Sequence, residues 1–297
     1  MFEDYKSFID DELQQTIHQL SDRDSTLAKA IHYSTLLGGK RIRPILVLLS
    51  AESFGVKKEL AKLPACAVEL VHAYSLIHDD LPSMDDDDLR RGQATCHKAF
   101  DEATAILAGD ALQTMAFELL TQESHRYSHN QFAANNRIKM IQILARASGA
   151  KGMVLGQAID FESVGQYLSI EQLENMHKHK TGALIEASVM MGALCSTTEI
   201  THTEETALKH YAQAIGLAFQ VQDDILDIVS DTQTLGKTQG ADAALNKPTY
   251  PSLLGIDGAR KKLQSLHDEA LTALNKIPDR DTSKLAEISH FIVKRTL

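Results

Sequence analysis

Residues 78–92 read HDDLPSMDDDDLRRG, six aspartates and two arginines directly after an apolar run. Carboxylates this close repel one another, so a cation among them or full hydration must keep them ionised. Hard divalent ions such as Mg²⁺ prefer carboxylate oxygen and often bridge to phosphate. Arg90 and Arg91, just beyond, have the planar fork that grips phosphate bidentately. The stretch therefore reads as a Mg²⁺–diphosphate site, and the alternative is a solvated acidic loop. A second acidic group, Phe219-Gln220-Val221-Gln222-Asp223-Asp224-Ile225-Leu226-Asp227, lies in the other half of the chain. In it Gln220, Asp223 and Asp227 fall on one helical face. Two such groups on otherwise apolar helices favour the metal site over the loop.

The elements that must hold these residues are helices. Apolar spacing predicts helices over 2–20, 25–37, 45–54, 58–78, 103–123 and 135–160. Others are expected from Ser169, over 183–194 and 204–217, through the second acidic group, and over about 251–275 and 282–295. Ser169 and Gln172 form a capping box. Pro82 should end the helix that carries Asp79 and Asp80, leaving 82–97 as loop. Both aspartates then sit at a helix C-terminus, where the dipole disfavours negative charge. That conflict fits a site that receives cations.

Gly38-Gly39 stops one helix and Pro44 suits the first turn of the next. Lys40 and Arg43 then stand at a helix entrance beside free N–H groups, a favourable anion site. The alternative is two solvated basic residues. His72 and Ser75 share a face with Asp79, which makes His72 either a phosphate donor or a satisfied structural histidine. Residues 178–183, Lys-His-Lys-Thr-Gly-Ala, break the helical period, which frees carbonyls or merely kinks the helix. Lys237 and Lys247 add positive charge behind the second acidic group.

Composition bounds the rest. The chain has 297 residues, 43% of them hydrophobic, with no Trp and only 6 Pro. Few breakers over this length favour long helices. No linker divides it, so residues 1–297 are expected to form one all-α domain. A net charge of −10 argues against nucleic acid as partner. Three cysteines without ligand spacing suit a reducing cytoplasm. No secretory signal or membrane-spanning stretch is apparent.

Six stretches now stand in one order: Gly38-Gly39-Lys40-Arg41-Ile42-Arg43-Pro44, His72 to Asp80, Arg90-Arg91-Gly92, Gly156-Gln157-x-x-Asp160, Lys180-Thr181-Gly182, and Phe219-Gln220-x-Gln222-Asp223-Asp224-x-x-Asp227. This set resembles the short-chain trans-prenyltransferases, from about Tyr33 to the C-terminus. A lone DDxxD is weak evidence; the ordered set is specific. The resemblance implies an all-α isoprenoid-synthase bundle around a deep central cavity, usually a homodimer. The implied reaction is condensation of isopentenyl diphosphate with dimethylallyl and geranyl diphosphate to (2E,6E)-farnesyl diphosphate. The same chemistry carried to the twenty-carbon product is the alternative.

The resemblance also implies roles. Asp79, Asp85 and Asp223 would ligate Mg²⁺, three ions in this family, with Mn²⁺ as a substitute. Asp80, Asp224 and Asp227 would support them. Arg90, Lys180 and Lys237 would hold the allylic diphosphate, and Lys40, Arg43, His72 and Arg91 the isopentenyl diphosphate. The Lys180 carbonyl, Thr181 and Gln220 would stabilise the allylic cation. Tyr74, five residues before Asp79, would help set product length; otherwise it merely packs in the core. A terpene cyclase would not need the isopentenyl group of residues. A non-catalytic partner subunit would be expected to have lost aspartates. A ferritin-like di-metal bundle needs Glu and Glu-x-x-His ligands.

Overall fold

Aliphatic and alanine-rich sequence with few breakers forms helix almost throughout. The computed structural model describes residues 2–20, 22–122, 134–229 and 248–295. Its helices are α1 (Glu3–Ile17), α2 (Thr26–Leu36), α3 (Ile42–Ser53), α4 (Lys62–Asp79), α5 (Cys96–Ala99) and α6 (Glu102–Thr121). They continue with α7 (Ala134–Ser148), α8 (Met153–Glu162), α9 (Ile170–His177), α10 (Ala183–Ala193), α11 (His202–Val229), α12 (Tyr250–Leu274) and α13 (Ser283–Lys294). Among the described residues the one sheet is the hairpin of β1 (Leu89–Arg90) and β2 (Gln93–Ala94). The fold is all-α.

α10 is largely withdrawn from water, and its apolar residues face every direction. Residues Leu184, Ile185 and Ala187 to Ala193 are all buried. A helix apolar all round belongs at the centre of a bundle. It packs on α3, α11, α7 and α4. Gly192 lets α3 approach, because a Cβ there would fall onto the Val47 carbonyl. Ser50 Oγ donates to the Val189 carbonyl at 2.7 Å across the same seam. On one side of α10, the core holds Leu70 and Val71 of α4 with Leu112 of α6. On another it holds Leu46 of α3, Tyr211 of α11 and Ile288 of α13.

Three expectations change. The segment 58–78 is a short 3₁₀ turn, Lys58–Leu60, followed by α4, with Pro64 in the first turn of α4 where its missing N–H costs nothing. The expected continuous helix 135–160 is two, α7 and α8, parted at residues 149–152, where a Cβ on Gly152 would fall onto the Ala147 carbonyl. The loop 82–97 contains the hairpin and α5. Arg91 and Gly92 both have positive φ, 54° and 75°, as a two-residue hairpin turn requires. The capping box of Ser169 and Gln172 forms as read.

Candidate active site

α4 delivers Asp79 and Asp80 at its C-terminal end. Asp80 is only 3% exposed, and burial pushes its carboxyl up to about 6, with hydrogen bonds from Arg90 opposing. Arg90 Nε donates to Asp80 Oδ1 at 3.0 Å, and Nη2 reaches Asp87 at 3.3 Å. Two of the later aspartates therefore have local partners, since Asp88 also pairs with Lys98 at 2.8 Å. Asp86 is exposed with φ 49°.

Between α9 and α10, residues Lys178–Gly182 form a π-helical turn. This is the break that the sequence shows at Lys-His-Lys-Thr-Gly. It sits against α8 so closely that a Cβ on Gly156 would fall onto the Lys180 amide nitrogen. The wide turn aims two neighbouring side chains at the two acidic groups. Lys180 Nζ is 2.6 Å from Asp160 Oδ2 and 3.9 Å from Asp79 Oδ2. Thr181 Oγ1 donates to Gln220 Oε1 at 3.4 Å. Gln220 Nε2 in turn donates to Asp224 Oδ1 at 3.1 Å. Asp224 Oδ2 accepts the Tyr250 N–H at 3.0 Å, which ties α11 to the start of α12. Gln157 of α8 donates its amide to Asp79 Oδ1.

The second acidic group meets the chain end. Arg295, its side chain 1% exposed, donates to Asp223 Oδ1 at 2.6 Å and to the Phe219 carbonyl at 3.0 Å. Its guanidinium lies 4.1 Å over the Phe219 ring.

The basic group forms at the entrance of α3. Arg43 Nη1 lies 3.3 Å from His72 Nε2. Burial first, then Arg43 and Arg91, hold His72 well below the ordinary 6.5, so its imidazole is neutral at pH 7. Arg91 donates to the Gly38 carbonyl, and a Cβ on Gly39 would meet the Arg91 guanidinium carbon at 2.5 Å. Gly39 has φ 128°, a backbone that favours glycine, and it leaves room for the arginine lying against it. Arg41 itself has φ 50°. That left-handed conformation costs an L-residue about 1–2 kcal/mol. Among the described residues the three non-glycine positive φ values are at Arg41, Asp86 and Arg91, all in the two loops that carry these charged groups.

The π turn brings Asp79, Lys180, Thr181 and Gln220 together, and the α3 entrance brings Arg43, His72 and Arg91 together. Lys40 is exposed beside them and senses Arg295, Asp223 and Arg91. Asp85 folds back along α4, its N–H donating to the Asp79 carbonyl at 3.0 Å. Tyr74 lies one turn below His78, ring edge to face at 5.2 Å. Lys237 and Lys247 lie outside the described residues. Sequence reasoning gave no role to Gln157, Asp160, Glu69 or Arg295. Gln157 and Asp160 were visible as a motif. Glu69 was visible as a lone carboxylate in the apolar run CAVELV. Arg295 carried no signal.

The residues suit Mg²⁺. Among the described residues no three carboxylates converge as a closed cage. Mg²⁺ does not require one: it keeps waters and combines one or two carboxylates with substrate phosphates. The donors are hard oxygens, and Asp79, Asp80 and Asp223 each hold a cationic side chain, which shows that positive charge is stabilised there.

The sequence profile of the polyprenyl synthetase family matches residues 24–288. The chain belongs to the polyprenyl synthetase family. It is a trans-prenyltransferase. The farnesyl diphosphate synthase of Escherichia coli (strain K12) is 50% identical over 285 residues, 95% of this chain and 94% of that protein. The crystal structure of a geranyltransferase from Legionella pneumophila superposes with a TM-score of 0.85 at 35% identity, covering 99% of this chain and 96% of that one. A geranyltransferase from Helicobacter pylori, complexed with magnesium and isoprenyl diphosphate, gives 0.78 at 35% identity, covering 97% and 96%. Among the described residues no helix is long and apolar enough to cross a membrane.

Proposed function

We propose that this family member condenses isopentenyl diphosphate with dimethylallyl and then geranyl diphosphate to give (2E,6E)-farnesyl diphosphate. The observation that supports it most is the π turn, which sets Lys180 against the first aspartate motif and Thr181 against the second. Asp79, Asp85 and Asp223 would hold Mg²⁺, in the three-ion arrangement of the family, with Mn²⁺ able to substitute. When bound, the metal neutralises charge on the departing diphosphate.

The chain's own groups do the rest. Lys180, Arg90 and Lys237 clamp the allylic diphosphate and favour its departure with the electron pair of the C–O bond. The Lys180 carbonyl, Thr181 hydroxyl and Gln220 side-chain oxygen present negative dipoles to the allylic cation. The hydrogen bond from Gln220 to Asp224 fixes the amide so that its oxygen faces Thr181. Lys40, Arg43, His72 and Arg91 hold the isopentenyl diphosphate with its double bond toward the cation. The new C–C bond forms, and a proton leaves to the released diphosphate.

The chain is read as one domain acting as a cytoplasmic homodimer. Three buried free thiols suit a reducing compartment. Exposed Leu107, Ile138 and Val154 on neighbouring helices suit a partner. Incubation with Mg²⁺, isopentenyl diphosphate and each allylic primer, followed by product sizing, tests the reading. A fifteen-carbon diphosphate is expected, and its absence with every primer overturns it.

A further inference from the structure

Lys40 and Arg43 flank an arginine that points the other way. The left-handed backbone at Arg41 turns its side chain inward while Lys40 stays exposed. The Arg41 guanidinium then spends three nitrogens on three helices. Nε donates to Asp10 Oδ1 of α1 at 2.8 Å, Nη1 to Glu69 Oε1 of α4 at 2.7 Å, and Nη2 to the Thr35 carbonyl of α2 at 2.8 Å. The Arg41 and Glu69 side chains are 2% and 3% exposed. Neither reaches the surface where a diphosphate would bind.

Glu69 stands three residues before His72 on α4, so the two share a face. The Arg41–Glu69 pair therefore fixes the start of α3 against α4 at the level where Arg43 meets His72. The same turn carries the Gly38 carbonyl that receives Arg91. Charge adds to geometry. Arg41, Arg43 and Arg91 crowd one corner, and Glu69 is the charged neighbour that acts most strongly on both Arg43 and Arg91. It offsets their mutual repulsion without occupying the anion-binding face.

We propose that Arg41, pinned by Glu69, is the positioning residue of the isopentenyl diphosphate site: it sets the spacing of Lys40, Arg43, His72 and Arg91 and touches no substrate. This rests on the proposed assignment of those four residues to isopentenyl diphosphate. Lysine at position 41 keeps the charge but has a single donor head, so it loses the fork that spans three helices. The test compares Arg41→Lys with Lys40→Ala by steady-state kinetics on the full chain, with each substrate varied in turn. Arg41→Lys is expected to raise the isopentenyl diphosphate KM by about 10–100-fold, the scale of loss for a misplaced binding group. The allylic KM and the turnover at saturation should stay near wild type. A merely structural arginine would lower turnover or raise both KM values together, and either result overturns the proposal. If Lys40→Ala raises the isopentenyl KM and a folded Arg41→Lys does not, the pin is refuted and the site stands. If neither changes it, the site assignment itself falls. Should Arg41→Lys fail to fold, Asp10→Asn decides. It weakens the half-exposed outer contact of the same fork, and a selective rise in the isopentenyl KM supports the pin, whereas none overturns it.

Discussion

Lys180 stands between two carboxylates, 2.6 Å from Asp160 and 3.9 Å from Asp79. Burial alone would push its ammonium down; Asp79 and Asp160 outweigh burial and hold it above the ordinary range. The lysine is therefore charged at any working pH. Asp160 is the nearer anchor, and it would keep Lys180 in place if Asp79 took another cation, as the proposed metal site requires. Asp160→Asn is expected to lower kcat/KM for the allylic substrate by about 10–100-fold. The isopentenyl KM should change little. Steady-state kinetics with each substrate varied checks this, and an equal loss on both sides would make Asp160 a general structural residue.

Asp79 receives the Gln157 amide and faces Lys180, so its position is set from two elements. Asp79→Ala is expected to keep the helical circular dichroism and lose turnover by several orders of magnitude, as removal of a metal-borne charge clamp would. Chelation with EDTA should silence the wild type, and added Mg²⁺ should restore it. Near-normal turnover of the variant would remove Asp79 from the metal site.

How much of this was legible in the sequence follows from the range of each contact. Most helix bounds were readable within a few residues, because apolar period and caps such as Ser169–Gln172 are local, but the apolar period ran through the break between α7 and α8. The break at residues 178–182 was readable as a break. Its π geometry was not, since that depends on Gly156 letting α8 approach Lys180. The hairpin at Leu89–Ala94 escaped because each strand has two residues, too few to show alternation. The pairing of Arg295 with Asp223 and of Arg41 with Glu69 joins residues far apart in the chain, and no period predicts such contacts. The motif aspartates stood out because six carboxylates within fifteen residues, followed by two arginines, are more charge than helix packing calls for.

Tyr74 is 9% exposed and precedes Asp79 by five residues, roughly 7.5 Å along α4 at ~1.5 Å per residue. Its ring meets His78 edge to face at 84°. A growing chain anchored by its diphosphate near Asp79 would meet this ring as it extends down the helix. Tyr74→Ala is expected to move the main product beyond fifteen carbons, read by chromatography of the dephosphorylated products. An unchanged fifteen-carbon product would place the floor elsewhere.

His177 tests the interior of the bundle by titration. It is 7% exposed, stacks on Tyr250 at 5.8 Å, and neither ring nitrogen has a hydrogen-bond partner among the described residues. Burial, with Lys180 adding and Asp160 opposing, pushes its pKa down to about 3. The folded value lies below the ordinary 6.5, so below pH 6.5 the unfolded chain takes up a proton that the folded chain refuses. Stability from this residue is fully present above about pH 6.5 and falls as the pH drops toward 3, by at most about 1.4 kcal/mol per pH unit. His72 loses stability over the same acid side, so the wild-type curve alone does not isolate His177. His177→Phe keeps the ring stacked on Tyr250 and removes the titration. Thermal unfolding of both proteins from pH 7 to pH 4 should therefore diverge below pH 6.5, with the phenylalanine variant losing less stability. Parallel curves would show that His177 is not held neutral in the fold.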